Sequence, residues 1–254
     1  MKTFKNYSKY YDFLYGDKDY QKEFGFVYRC IKKFKKNGNQ LLSLGCGTAN
    51  YEIFFAKEGF DVTGIDISED MLEIAKVKVT KAGLKDKIIL IKSDVRNIKL
   101  NTRFDIVVEL FNVLGYQNLN EDLDKNLKEV SRLLKKGGLF LFDCWYMPAV
   151  LKDGPVDKVK EVKTENGRII RKTHSSIFPT EDIVEVNFEV TEFKNKKTIG
   201  KALETHKIRY FSIPELTYFL SQNSMQIVKI LNFMDEKGEV RDDKWNIFVI
   251  AKKV

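Results

Sequence analysis

Gln40-Leu41-Leu42-Ser43-Leu44-Gly45-Cys46-Gly47-Thr48-Ala49-Asn50 is the stretch that decides how this chain is read. An apolar run breaks into a glycine turn, and a helical pattern comes next, with Ile53, Phe54, Phe55 and Ala56 ahead of Gly59. The turn therefore lies between a strand and a helix N-terminus, where amide N–H groups meet a polar ligand and glycines allow its close approach. Further on, Val62-Thr63-Gly64-Ile65-Asp66 reads as a second buried strand ending in a carboxylate. In α/β nucleotide sites an acid at that spacing bridges the two hydroxyls of a ribose. The ligand implied is an adenosine derivative.

Many strand-to-helix junctions carry glycine merely to turn, so the weight falls on the later strands. A third apolar run, Ile88-Ile89-Leu90-Ile91, leads to Ser93-Asp94-Val95, and a fourth, Phe104-Asp105-Ile106-Val107-Val108, leads to Glu109-Leu110-Phe111-Asn112. A fifth, Leu139-Phe140-Leu141-Phe142, ends in Asp143-Cys144-Trp145-Tyr146. Between them, a Ser68-capped helix and an amphipathic helix over residues 121–134, closed by Lys135-Lys136-Gly137-Gly138, read as crossovers. Ligands bind outside the carboxyl ends of such strands, so the glycine turn, Asp66, Asp94 and residues 109–112 should converge on one crevice.

Leu-Gly-Cys-Gly-Thr-Ala, Gly-Ile-Asp-Ile-Ser, Ser-Asp-Val-Arg and Lys-Lys-Gly-Gly-Leu-Phe-Leu-Phe, in this order and spacing, resemble the class I S-adenosylmethionine-dependent methyltransferases over residues 41–145. The resemblance implies an α/β, Rossmann-like fold with a mostly parallel seven-stranded sheet, helices on both faces and S-adenosylmethionine as cofactor. It places Gly45 and Gly47 under the methionine part, Asp66 at the ribose, Asp94 at the adenine amino group and Met71 against the adenine ring, a position that a core side chain would fill equally well. Ala49, Ile67, Val95 and Leu110 are the neighbouring cofactor positions. Two departures stand out: Ala49 replaces the family's usual third glycine, and Ser43 replaces an aspartate common in the first strand. A nicotinamide dinucleotide site is the competing reading, but its G-x-G-x-x-G turn would need glycine where Asn50 stands.

With 254 residues, 43% hydrophobic and 31% charged, the chain has the composition of a globular protein with room for a large core. The net charge of +8 suits an anionic partner, although lysines spread this widely also simply solvate a surface. Cys30, Cys46 and Cys144 are far apart and only two histidines exist, which indicates neither a disulfide framework nor a metal site. The opening residues lack a signal-peptide pattern and no run is long enough for a membrane span, so a cytoplasmic setting is expected.

Residues 1–40 form the expected N-terminal helical lid, with Tyr7, Tyr11 and Tyr15 on one helical face. Packing on the sheet is one role for these rings; closing over a sulfonium cation, which a tyrosine ring face attracts, is another. Tyr-Tyr-Asp-Phe-Leu-Tyr followed by Lys-Asp-Tyr resembles the N-terminal segment of methyltransferases acting on nucleotide-linked amino sugars, which implies cofactor contacts for Tyr11 and Tyr20 and an acceptor-side or catalytic role for Tyr15. The core comprises residues 41–146 and 211–254, the latter with a helix after Ile213-Pro214 and two closing strands, residues 226–233 and 245–251. Between them, residues 147–210 carry period-two alternation, Val184, Val186, Phe188 and Val190 against Glu185, Asn187 and Glu189, with a turn at residues 195–197. This is an inserted antiparallel sheet, read as an acceptor lid or as a homodimer surface.

The cofactor would donate a methyl group to nitrogen or oxygen of a small anionic acceptor, read as a phosphate-bearing nucleotide-activated sugar or surface-glycan precursor. Asn112, Trp145, Tyr146 and His174 join Tyr15 as acceptor-side positions. A hydroxyl acceptor needs a base, for which His174, His206, Glu109 and Asp143 are the candidates. An RNA methyltransferase and a non-catalytic methyltransferase-like binding protein are the alternatives. The run Lys32-Lys33-Phe34-Lys35-Lys36 lacks the stacking array of a nucleic-acid surface.

Overall fold

The computed structural model describes residues 7–35, 37–165, 167–195 and 197–254. Residues 1–6 of the expected lid, Lys36 of the basic run and Lys196 of the expected turn lie outside the described residues. The chain opens with two helices, α1 (Ser8–Leu14) and α2 (Tyr20–Phe34). Asp19 starts the second by accepting a hydrogen bond from the Lys22 N–H, and Lys32 and Lys33 complement the dipole at its end.

Strands and helices then alternate: β1 (Gln40–Leu44), α3 (Asn50–Lys57), β2 (Asp61–Asp66), α4 (Glu69–Lys81), β3 (Ile88–Lys92), β4 (Phe104–Glu109), α5 (Asn120–Leu133) and β5 (Leu134–Tyr146). These five strands run parallel in the order β3-β2-β1-β4-β5. After α6 (Met147–Asp153) come four antiparallel strands, β6 (Lys158–Thr164), β7 (Gly167–Phe178), β8 (Ile183–Lys194) and β9 (Lys197–Phe211). The chain ends with α7 (Ile213–Gln222), β10 (Met225–Asn232) and β11 (Asn246–Lys253). Here β11 lies antiparallel to β5 and β10 closes the edge, so the core sheet has seven strands, as expected.

One boundary differs from the sequence reading. The amphipathic helix stops at Leu133, and Lys135-Lys136-Gly137-Gly138 belongs to β5, in which Gly137 takes a left-handed φ of 72°. The register against β4 shifts between Phe104 and Ile106, so these residues form an irregular start to the strand instead of a loop before it.

Alternation along each strand assigns side chains to two layers. Leu41, Ile106, Val108, Leu139 and Leu141 pack with α2, α3 and α4, whereas Leu42, Val107, Phe140 and Phe142 pack with α5 and α7. Among the described residues, the inserted strands pair with the core sheet at one place. Trp145 and Tyr146 at the end of β5 pair with Tyr210 and Phe211 of β9, beyond the point where β4 ends at Glu109. The insert therefore rises from the carboxyl edge of the sheet. Helix α1 packs against it, with Tyr7, Tyr10 and Leu14 buried on Ile169, Val190 and Ala202.

Candidate active site

A cavity of about 850 Å³ lies where the carboxyl ends of β1, β2, β4 and β5 meet α1 and the inserted strands. Its floor is the glycine turn. Gly45 has φ 69°, and a Cβ there would come within 2.5 Å of Val113, so both conformation and space demand glycine. The Gly47 N–H donates to Asp66 Oδ2 at 2.8 Å, and the Ser68 N–H donates to Asp66 Oδ1 at 2.8 Å. Asp66 thus ties the turn to the start of α4, while burial pushes its carboxyl above the ordinary range. Ala49 takes the left-handed conformation, φ 62°, at the N-cap of α3, where a third glycine would be unstrained.

Tyr11, Tyr15, Tyr20, Gly45, Gly47, Asp66, Ile67, Met71, Asp94, Val95 and Leu110 all line this cavity. Asp94 is engaged by its neighbour: Arg96 donates from Nε at 2.9 Å and from Nη2 at 2.6 Å, and holds the carboxyl below the usual range. Helix α1 reaches the glycine turn through Asp12, whose carboxylate accepts from the Thr48 hydroxyl at 2.8 Å and pairs with Lys78 at 3.1 Å.

The half of the cavity toward the insert is built differently. Phe111 and Asn112 both take left-handed φ, 69° and 60°, and their N–H groups donate to Asp143 at 2.6 and 3.0 Å. Burial raises Asp143 to about 7, opposed by the Phe111 hydrogen bond. Asn112 and Trp145 line the wall, and the Trp145 ring meets Trp245 edge-on at 5.5 Å near the rim. His206 on β9 is 3% exposed, its Nδ1 2.9 Å from the Tyr116 hydroxyl and its ring 5.0 Å from Phe188. Burial lowers its pKa to about 4, with the Arg171 charge as the second cause. Arg171 donates to the Tyr7 and Tyr15 hydroxyls, each at 3.1 Å.

Four sequence candidates lie outside the cavity. His174 is solvent-exposed and pairs with Asp157 at 2.8 Å; its strand neighbours Thr173 and Ser175 face inward. Tyr146 points away because Trp145 before it points in, and it packs on the α5–α7 layer. Glu109 alternates with Leu110 in the same way: its carboxyl is fully buried, accepts from Asn126 Nδ2 at 2.9 Å, and burial raises it to about 8. Ala49 is fully buried behind the turn. The sequence reading also passed over Glu52, which lines the cavity and accepts a hydrogen bond from Ser43 Oγ at 2.5 Å. Its signal was an acid inside the run Tyr51-Glu52-Ile53-Phe54-Phe55.

Residues 41–138 match the family model described as "Methyltransferase domain". The chain is 29% identical over 185 residues to the dTDP-3-amino-3,4,6-trideoxy-alpha-D-glucopyranose N,N-dimethyltransferase of Streptomyces venezuelae, covering 72% of this chain and 75% of that one. In three dimensions it superposes on an S-adenosylmethionine-dependent methyltransferase from Clostridium acetobutylicum with a TM-score of 0.81 at 22% identity, covering 96% of each chain. These matches make the chain an S-adenosylmethionine-dependent methyltransferase with the class I fold. The fold of this methyltransferase also matches Streptomyces venezuelae DesVI, with a TM-score of 0.79, 22% identity, and 98% and 97% of the two chains covered. Its cofactor is S-adenosylmethionine, and no group of three or more metal-ligating side chains occurs among the described residues. The site fits that cofactor: a glycine turn too tight for a Cβ at Gly45, two strand-end acids, and a buried carboxyl oxygen of Glu52 without a partner. No helix among the described residues is long and apolar enough to cross a membrane.

Proposed function

We propose that this methyltransferase acts on the amino nitrogen of a nucleotide-activated amino sugar. Gly45, Gly47, Asp66 and Asp94 would hold the cofactor, with Asp66 at the ribose, beside Met71, Ile67, Val95 and Leu110. Bound there, S-adenosylmethionine supplies an activated methyl group on a sulfonium centre. The protein's part is to hold the acceptor in line at near-attack distance under Tyr11, Tyr15 and Tyr20.

The observation that carries nitrogen over oxygen is the state of His206. An imidazole lowered to about 4 is too weak a base to take a proton from a sugar hydroxyl. Of the carboxyls on the acceptor side, Asp143 is committed to the Phe111 and Asn112 amides and Asp153 accepts from the Trp245 indole at 3.2 Å. The burial and the Arg171 charge that disfavour a protonated imidazole equally disfavour a protonated amine beside it, so an amine acceptor enters neutral, with its lone pair available. His206 and Asn112 then serve to orient it by hydrogen bonds. Lys158 at the rim and the Trp145–Trp245 pair supply a cation for phosphate and ring faces for a base. The named activity of the Streptomyces venezuelae relative supports the same acceptor class.

The test is a matched panel of nucleotide sugars, each offered in an amino and a hydroxyl form with labelled S-adenosylmethionine, scored by product mass. Methylation of the amino members alone is the expected result. Transfer to the hydroxyl members, or only to RNA or protein, would overturn the proposal.

A further inference from the structure

The floor of the cavity holds a carboxyl that the roles assigned so far leave without a task. Glu52, in the first turn of α3, is 1% exposed and lines the cavity beneath the glycine turn. Its Oε1 is held by the Ser43 hydroxyl at 2.5 Å, whereas its Oε2 is buried without a hydrogen-bond partner. The nearby cation does not serve it, because Lys78 is engaged with Asp12, Thr48 and Asn50. Buried carboxylate oxygens are ordinarily satisfied, and one left open toward a ligand cavity marks where a donor arrives.

S-adenosylmethionine carries one such donor besides its ribose and adenine: the α-ammonium of its amino-acid part, a positive charge with three N–H groups. We infer that Glu52 is a cofactor-selecting residue whose Oε2 receives this ammonium, with Ser43 fixing the carboxylate through Oε1. The negative charge of the first motif is thereby supplied from helix α3, while β1, where Ser43 stands, contributes a hydroxyl that aims it. Burial raises the Glu52 carboxyl to about 7, with the Ser43 hydrogen bond opposing, and an arriving cation favours the ionised form. The inference rests on the cofactor and is independent of the acceptor.

The experiment is calorimetric titration of the full chain with S-adenosylhomocysteine and with its analogue lacking the α-amino group, for the wild type, Glu52→Gln and Ser43→Ala. The wild type should bind the complete ligand on the order of ten- to a hundredfold more tightly than the deaminated one, the usual range for a charged hydrogen bond. Glu52→Gln should erase most of that ratio while binding the deaminated ligand within about twofold of the wild type. Ser43→Ala, which keeps the charge and should fold even if Glu52→Gln does not, should reduce the ratio by a smaller factor. A wild-type ratio near one overturns the inference. So does a Glu52→Gln variant that weakens both ligands equally, which would make Glu52 a structural residue only.

Discussion

Removing the Arg171 charge tests how the acceptor half of the cavity is tuned. The guanidinium carbon lies 4.7 Å from the Phe188 ring centroid, and that centroid lies 5.0 Å from the His206 ring, so the two groups are no more than about 10 Å apart. At that separation unit charges repel by about 1.7 kcal/mol at an effective dielectric near 20, a little over one pKa unit. Arg171→Met keeps most of the packing on Phe188 and Tyr15 and deletes this repulsion. His206 should therefore rise from about 4 by at least about one unit but stay below the ordinary histidine value, because burial is the larger cause and remains.

Imidazole NMR measures this directly, since the chain has two histidines and His174→Gln identifies the other resonance. Stability should change with it. The folded pKa of His206 lies below its unfolded value, so its contribution is complete above about pH 6.5 and is lost as pH falls toward 4; the variant should lose less over that window. With an amine acceptor, the acid limb of kcat should also shift up by about one unit, because the bound ammonium is disfavoured less. An unchanged His206 midpoint in Arg171→Met, or a return to the ordinary histidine value, would refute the reasoning.

Asp66→Ala should lower S-adenosylhomocysteine affinity by about tenfold or more in calorimetry, since hydrogen bonds to a charged group are lost; unchanged affinity would remove Asp66 from the site. His174→Gln should leave single-turnover rates within about twofold and unfolding free energy within about 0.5 kcal/mol, because an exposed ion pair with Asp157 contributes little. Burial raises Glu109 above its unfolded value, so its contribution is complete below about pH 4.5 and is lost as pH rises through 8. In urea melts between pH 5 and 8.5, Glu109→Gln should flatten the fall by up to about 1.4 kcal/mol per pH unit. Gly45→Ala should destabilise the fold by about 1–3 kcal/mol in the same melts, through the left-handed φ and the clash with Val113.

The core sheet was legible because each of its strands is a short apolar run closed by turn or polar residues, and the position of the crevice is set by where such strands end. What the runs did not settle was the face of each strand-end side chain. Trp145 and Tyr146, Thr173 and His174, Glu109 and Leu110 are adjacent pairs of which one member lines the cavity. A one-residue difference reverses the face in a strand, so a residue type suited to chemistry says little until its neighbour is placed. Glu52 escaped notice for the opposite reason. Ser43 stands in β1 where the resembled family commonly has aspartate, and the carboxyl that meets Ser43 comes from a helix nine residues later, a pairing that only the fold brings about.

The N-terminal tyrosines show why two readings of one helical face need not compete. Tyr10 is buried against β7, β8 and β9, as a packing ring would be, while Tyr7, Tyr11 and Tyr15 pack on the same cluster and also line the cavity, as cofactor or acceptor contacts would. Arg171 joins the two ends of that row, since one nitrogen donates both to the Tyr7 and to the Tyr15 hydroxyl. Asp12 of the same helix reaches the glycine turn through Thr48. Helix α1 is thus held along its length by the insert and, through Asp12, by the glycine turn, so a movement of α1 away from that turn also disturbs the Arg171 contacts that set the charge around His206.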